Sequence, residues 1–105
     1  MSLLCKNRTF LQSLLREANA KRREVMLDHA NKSQINAISE MVLNLLKQNV
    51  PVKSGTYKRL VRYKKVLQEI GSRKNSLKQR RTHLKSQKGG GFWSGLKECY
   101  LVCSK

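Results

Sequence analysis

The sequence predicts an all-α protein: a small bundle of about four short helices, then a basic helical arm and a flexible C-terminal tail. Three observations predict it. Apolar residues recur at intervals of three and four through successive segments, polar capping residues separate those segments, and no stretch alternates apolar and polar residues as a half-buried strand would.

Thr9 with Gln12 three positions on has the form of a capping box. Phe10, Leu11, Leu14, Leu15 and Ala18 then give a first helix its apolar face. Asn19 is placed to end that helix and to cap a second, which offers Val25, Met26, Leu27 and Ala30. Lys21, Arg22 and Arg23 fall in its first turn, where the helix dipole disfavours cations unless an anion lies near. Ser33 is the expected cap of a third helix with a clean stripe: Ile35, Ile38, Met41, Val42, Leu45 and Leu46. Gln48-Asn49-Val50-Pro51 should end it, because the residue before proline avoids the α region.

Ser54 or Thr56 is expected to cap a fourth helix. Tyr57, Leu60, Val61, Leu67 and Ile70 occupy one side of it, and Lys58, Arg59, Arg62, Lys64 and Lys65 the other. Gly71 is its expected C-cap. Ser72 can open a fifth stretch with only Leu77 and Leu84 as sizeable apolar groups. So polar a helix gains little from packing, and it is expected to fray alone and to order on a polyanion. The expected divisions are a flexible terminus over 1–7, the bundle over 8–70, the arm over 72–88, and a glycine-rich hinge with a short apolar tail over 89–105.

A chain of 105 residues suits one small domain with a modest core. Its net charge is +17, unevenly placed. Residues 1–49 carry eight Lys/Arg and four acids, whereas residues 50–88 carry thirteen Lys/Arg and the single acid Glu69. Faces that merely meet water mix both signs. This imbalance points to a polyanion, with DNA as the expected partner, RNA as a variant of it and an anionic membrane surface as the competitor.

Lys58, Arg59, Arg62 and Lys65 share one helical face. With Lys64, and with Arg73, Lys74, Lys78, Arg80, Arg81, Lys85 and Lys88, they form the candidate nucleic-acid-binding set. Lysine and arginine grip phosphates without reading sequence, and each neutralised phosphate releases counterions. Base readout would fall to Asn75, Gln79 and Arg80. The connection His29-Ala30-Asn31-Lys32-Ser33 lacks the usual glycine of a helix-turn-helix. Tyr57 is expected in the core and Tyr63 at its boundary; stacking on single-strand bases is their alternative use. Lys64-Lys65, Arg73-Lys74 and Arg80-Arg81 also have the form of a nuclear-localisation signal. That keeps a second reading open, a host regulatory protein whose helical unit binds another protein.

Enzyme chemistry is not expected. His29 and His83 are far apart in sequence, and no acid pairs with an evident nucleophile. Cys5, Cys99 and Cys103 are an odd number without framework spacing, which fits a reducing compartment. Two thiols at Cys99 and Cys103 make an incomplete zinc site, so neither metal nor cofactor is implied. The first residues lack the form of a signal peptide, and no run has the length of a membrane span. Phe92, Trp93, Leu96, Tyr100, Leu101 and Val102 make the tail apolar, suited to packing back on the bundle, to a protein partner or to a membrane surface.

Three stretches in order carry a family resemblance: Asn7-Arg8-Thr9-Phe10-Leu11-Gln12-Ser13-Leu14-Leu15; Gln34-Ile35-Asn36-Ala37-Ile38-Ser39-Glu40 running on through Asn49-Val50-Pro51; and Tyr63-Lys64-Lys65 followed by the basic arm and Gln87-Lys88-Gly89-Gly90-Gly91-Phe92. Over residues 7–93 the chain resembles a small basic protein of Polinton/Maverick elements and the related adintoviruses. The resemblance invites comparison with the basic core peptides of adenoviruses. It implies DNA condensation in a virion core, a place in the nucleus or virion interior with virion or host protein partners, and a processing site at Gly89-Gly90-Gly91. Adenovirus-type proteases want a large aliphatic residue shortly before the glycines, and here Ser86-Gln87-Lys88 precede them. A hinge is therefore the first reading of the three glycines.

Overall fold

The structure, a computed structural model, describes residues 3–47, 53–88 and 90–103. Eight helices and no strand occur among the described residues: α1 (Leu3–Lys6), α2 (Arg8–Arg16), α3 (Ala20–Asp28), α4 (Lys32–Leu46), α5 (Ser54–Val61), α6 (Lys64–Gly71), α7 (Leu77–Ser86) and α8 (Gly90–Cys103). The all-α expectation holds, and the expected number of about four does not.

Capping chemistry explains where the boundaries fall. Asn19 caps α3 as its sequence position suggests, its Oδ1 accepting the backbone N–H groups of Lys21 and Arg22 at 2.9 and 3.1 Å. Elsewhere the cap moves. Helix α4 starts from Asn31, not Ser33, and α7 from Ser76, not Ser72. Each observed cap has a glutamine three residues on, Gln34 or Gln79, which returns a bond of 2.9 Å to the cap's own N–H. Ser33 and Ser72 have only the shorter Asn36 and Asn75 at that offset. Helix α2 starts after Asn7 rather than at Thr9, and the Asn7 amide reaches the Ser33 hydroxyl at 3.0 Å, tying α1 and α2 to α4.

The single helix expected over 54–70 is two. Tyr63, at φ −105° and ψ 15°, interrupts it, and α6 begins after this corner. The expected break over 48–51 lies outside the described residues.

Helix α4 is the centre of the fold. Ile35, Asn36, Ala37, Ile38, Ser39, Met41, Val42 and Leu45 are buried around most of its circumference, as befits a helix enclosed by others. It packs on α1, α2, α6, α7 and α8.

The two terminal expectations are corrected. Leu3 and Leu4 of α1 pack against the core, so residues 3–6 are not a loose terminus. Residues 90–103 form a helix, and Phe92, Trp93, Leu96, Cys99 and Tyr100 are buried in the core. Their spacing of three and four is an apolar helical stripe, which closes the bundle instead of trailing from it. Gly95 makes the closure tight: a Cβ there would stand 2.5 Å from Leu60 Cδ2, so the α8 backbone lies directly on α5. Helix α7 stops at Ser86, and Gly90 and Gly91 open α8, with Gly89 outside the described residues.

Candidate nucleic-acid interface

Arg62 and Tyr63 make the corner before α6, which leads to the turn at 72–76 and then α7. Arg62 and Lys65 line the same groove as His83 and Gln87, so the start of α6 lies beside the end of α7 and the two helices run antiparallel. At 1.5 Å per residue the hairpin is roughly 12–15 Å long.

The structure divides the twelve candidate cations. Lys58, Arg62, Lys64, Lys65, Arg73, Lys74, Lys78 and Lys88 are exposed, and none has an ion-pair partner among the described residues. Arg62 and Lys65 stand at the open end of the hairpin, with Lys88 just beyond α7, and Arg73, Lys74 and Lys78 stand at its turn. The other four are engaged within the fold.

Arg80 is the clearest departure from expectation. It is only 4% exposed, and its Nη1 donates to Asn36 Oδ1 and to Ser39 Oγ, both at 2.8 Å. Ser39 Oγ in turn donates to the Ile70 carbonyl at 2.8 Å, near the end of α6 where helical carbonyls lack partners. Arg80 thus clamps α7 to α4 and α6 and offers nothing to a phosphate or a base edge. Burial lowers its pKa from the ordinary arginine value, and the neighbouring Arg73 charge acts in the same direction. Arg81 is half-buried, its Nη2 donating to the Ala30 carbonyl at 2.7 Å, which anchors α7 to the α3–α4 link. The basic stretch is therefore docked, with Leu84 fully buried.

The remaining two cations are paired. Lys85 Nζ is 2.6 Å from Asp28 Oδ1 of α3. Arg59 Nη2 is 3.4 Å from Glu98 Oε1 of α8, and the same carboxylate accepts the Thr56 hydroxyl. Such partly exposed pairs are worth little in stability, and each subtracts charge from the face.

A second buried cation fixes the link between α7 and α8. Arg23 lies 5.0 Å over the Trp93 ring, and its Nη1 donates to the Glu17 carbonyl at 2.7 Å. Burial lowers its pKa, with Glu17 opposing that effect. Trp93 Nε1 donates to the Gln87 carbonyl at 2.5 Å. The expected hinge is therefore pinned on both sides of Gly89.

Between α6 and α7 lies an open groove of about 520 Å³, lined by Arg62, Tyr63, Lys65, Val66, Glu69, His83 and Gln87. Tyr63 is held by an edge-to-face contact with Phe92, centroids 5.5 Å apart. Gly91 permits this seating, since a Cβ there would come 3.1 Å from the Tyr63 hydroxyl. Periodicity alone shows Arg62, Lys65, Val66 and Glu69 at helical spacing, and His83 with Gln87 four apart. It does not show that the two sets face each other. Asn75 and Gln79, named for base readout, serve structure: Asn75 Nδ2 donates to Glu69 Oε2 at 2.7 Å, and Gln79 completes the α7 cap. Tyr57, expected in the core, is 37% exposed at a cleft shared with Val61.

No group of three or more His, Cys, Asp or Glu side chains placed to hold a metal occurs among the described residues, and no helix of them is long and apolar enough to cross a membrane. Comparison with protein-family models, with curated proteins and with solved structures finds no match to this chain.

Proposed function

We propose that the protein is a non-enzymatic, sequence-independent nucleic-acid-binding protein whose contact face is the α6–α7 hairpin with its Arg62 corner. The observation that carries this reading is the set of eight exposed cations, seven on the hairpin, its corner and its ends (Arg62, Lys64, Lys65, Arg73, Lys74, Lys78 and Lys88) and Lys58 on the preceding α5, free of ion pairs among the described residues. The remaining four cations of the set support the fold or meet a carboxylate, so the face reads charge, not base edges. DNA is the expected polyanion, and condensing it in the core of a virus-like element, within the nucleus or a virion, agrees with the Polinton/Maverick resemblance.

Salt dependence tests the reading. If all eight exposed cations met duplex phosphates, the log–log slope of affinity against salt would be about −7, at 0.9 per phosphate. Titration against duplex DNA, single-stranded DNA and RNA should give slopes between roughly −4 and −7 for the duplex. A flat plot would overturn the proposal.

A protein-interaction role has one specific observation in its favour. Tyr57 and Val61 stand exposed beside a cleft of about 130 Å³ shared with Leu45, Leu46, Leu60, Lys64 and Leu67. Truncation to the first 70 residues would not test it, because that removes core residues of α7 and α8. Val61→Asn in the full chain would test it, because it removes apolar surface without adding charge beside Arg62 and Lys64: protein capture should be lost and polyanion binding kept.

A further inference from the structure

We infer that the groove between the start of α6 and the end of α7 seats one unstacked nucleotide of a single strand. Its phosphate lies at Arg62 and Lys65, and its base lies against Tyr63 and Val66. The inference rests on the polyanion reading above and names the strand that the face prefers.

Size and chemistry agree. The groove volume of about 520 Å³ falls in the range of small-ligand sites. Its lip carries two exposed cations, Arg62 and Lys65, while Tyr63 and Val66 are half-buried within it. The one acid in the lining, Glu69, has Oε2 engaged by Asn75 Nδ2 at 2.7 Å and makes no ion pair with Arg62 or Lys65 among the described residues. A phosphate at the lip therefore meets net positive charge. His83 and Gln87, on the facing helix, close the other side of the groove.

The aromatic component is preorganised. Tyr63 is fixed by its edge-to-face contact with Phe92, itself 1% exposed, so little side-chain entropy remains to be lost on stacking. The Gln87 carbonyl is fixed by the Trp93 indole, which holds the α7 end of the groove in place. A duplex shows its phosphates to such a face but keeps its bases stacked inside. A single strand offers phosphate and base together, and a stacked base adds affinity without sequence choice.

An abasic strand separates the two ideas. It keeps the phosphates and lacks the bases. The full-length chain would be titrated at one salt concentration with a thymidine 12-mer and with an abasic 12-mer. A 5-bromouridine strand would be photocrosslinked in parallel and the adducts mapped by mass spectrometry. The seat predicts roughly ten-fold tighter binding of the thymidine strand, from one stacked base, and adducts at Tyr63 or His83. Equal affinity for the two strands overturns the seat and leaves the polyanion face standing. A preference for bases with adducts confined to other residues, such as Tyr57, also overturns the seat. Failure to bind either strand, or duplex DNA, overturns both readings. Displacement of the thymidine strand by an acidic, aromatic peptide at equal concentration would reassign the groove to a protein partner.

Discussion

Arg80 of α7 donates to Asn36 of α4 across 44 positions of sequence, at 2.8 Å, with both side chains buried. Among the described residues no carboxylate pairs with Arg80; the second acceptor is the Ser39 hydroxyl. A buried cation of this kind is tolerated only when bonds offset its desolvation; here Nη1 makes two, while the buried Nε has no partner among the described residues. Burial lowers the Arg80 pKa, so the fold binds this proton less well than the unfolded chain does. That cost is present while the guanidinium is charged and is relieved only as pH rises through the lowered folded-state pKa.

Arg80→Ala should therefore act on stability and not on phosphate contacts. It leaves a cavity and unpaired acceptors at Asn36 and Ser39, for a loss of about 2–4 kcal/mol. Calorimetry should show a melting temperature lower by roughly 10 °C or more. Measured well below that temperature, the salt slope of DNA binding should be unchanged.

Lys65→Ala and Lys74→Ala should do the reverse. Both lysines are exposed, at opposite ends of the hairpin. Each substitution should flatten the log–log salt slope by about 0.9, and the pair by about twice that. Thermal stability should stay within about 0.5 kcal/mol of the parent.

Glu98→Gln should strengthen binding. The carboxylate pairs with Arg59 and accepts the Thr56 hydroxyl. Glutamine keeps an acceptor for Thr56 and releases Arg59 to a phosphate. Filter binding at low salt should show an affinity gain of a few-fold and a steeper salt dependence, both shrinking as salt is raised.

Gly95→Ala tests the seating of α8. Alanine is the better helix former by roughly 1 kcal/mol. Its Cβ, however, would meet Leu60 Cγ at 2.7 Å, and Leu60 is 2% exposed with little room to yield. Overpacking costs about 1–3 kcal/mol, so denaturant titration should show net destabilisation of about 1 kcal/mol.

The helical class was legible in the sequence because Ile35, Ile38, Met41, Val42 and Leu45 write a helical stripe that any reader recovers. The cap of α3 was equally legible at Asn19. Other boundaries depended on which glutamine could reach back to its cap, and Gln34 and Gln79 chose Asn31 and Ser76. The role of the last helix was hidden because Phe92, Trp93 and Leu96 follow three glycines, a run that ordinarily costs a helix too much backbone entropy. Tertiary packing against Leu60 and Tyr63 outweighs that cost. For the candidate interface, net charge singled out the segment but could not show which cations face inward. Arginine suits phosphates and interior oxygen acceptors alike: Arg80 took the Asn36 and Ser39 side chains, and Arg81 took the Ala30 carbonyl.

The placement of α8 has a consequence for the newborn chain. Helices α2, α4 and α5 all pack on α8, and Leu60 has Gly95 as its seat. A ribosome adding about 5–20 residues per second needs about 1–3 s to make the fourteen residues of α8. Until α8 docks, Leu60 and the faces of α2 and α4 that pack on it lack that cover, so the apolar surface that closes the bundle is the last part of the described core to be made.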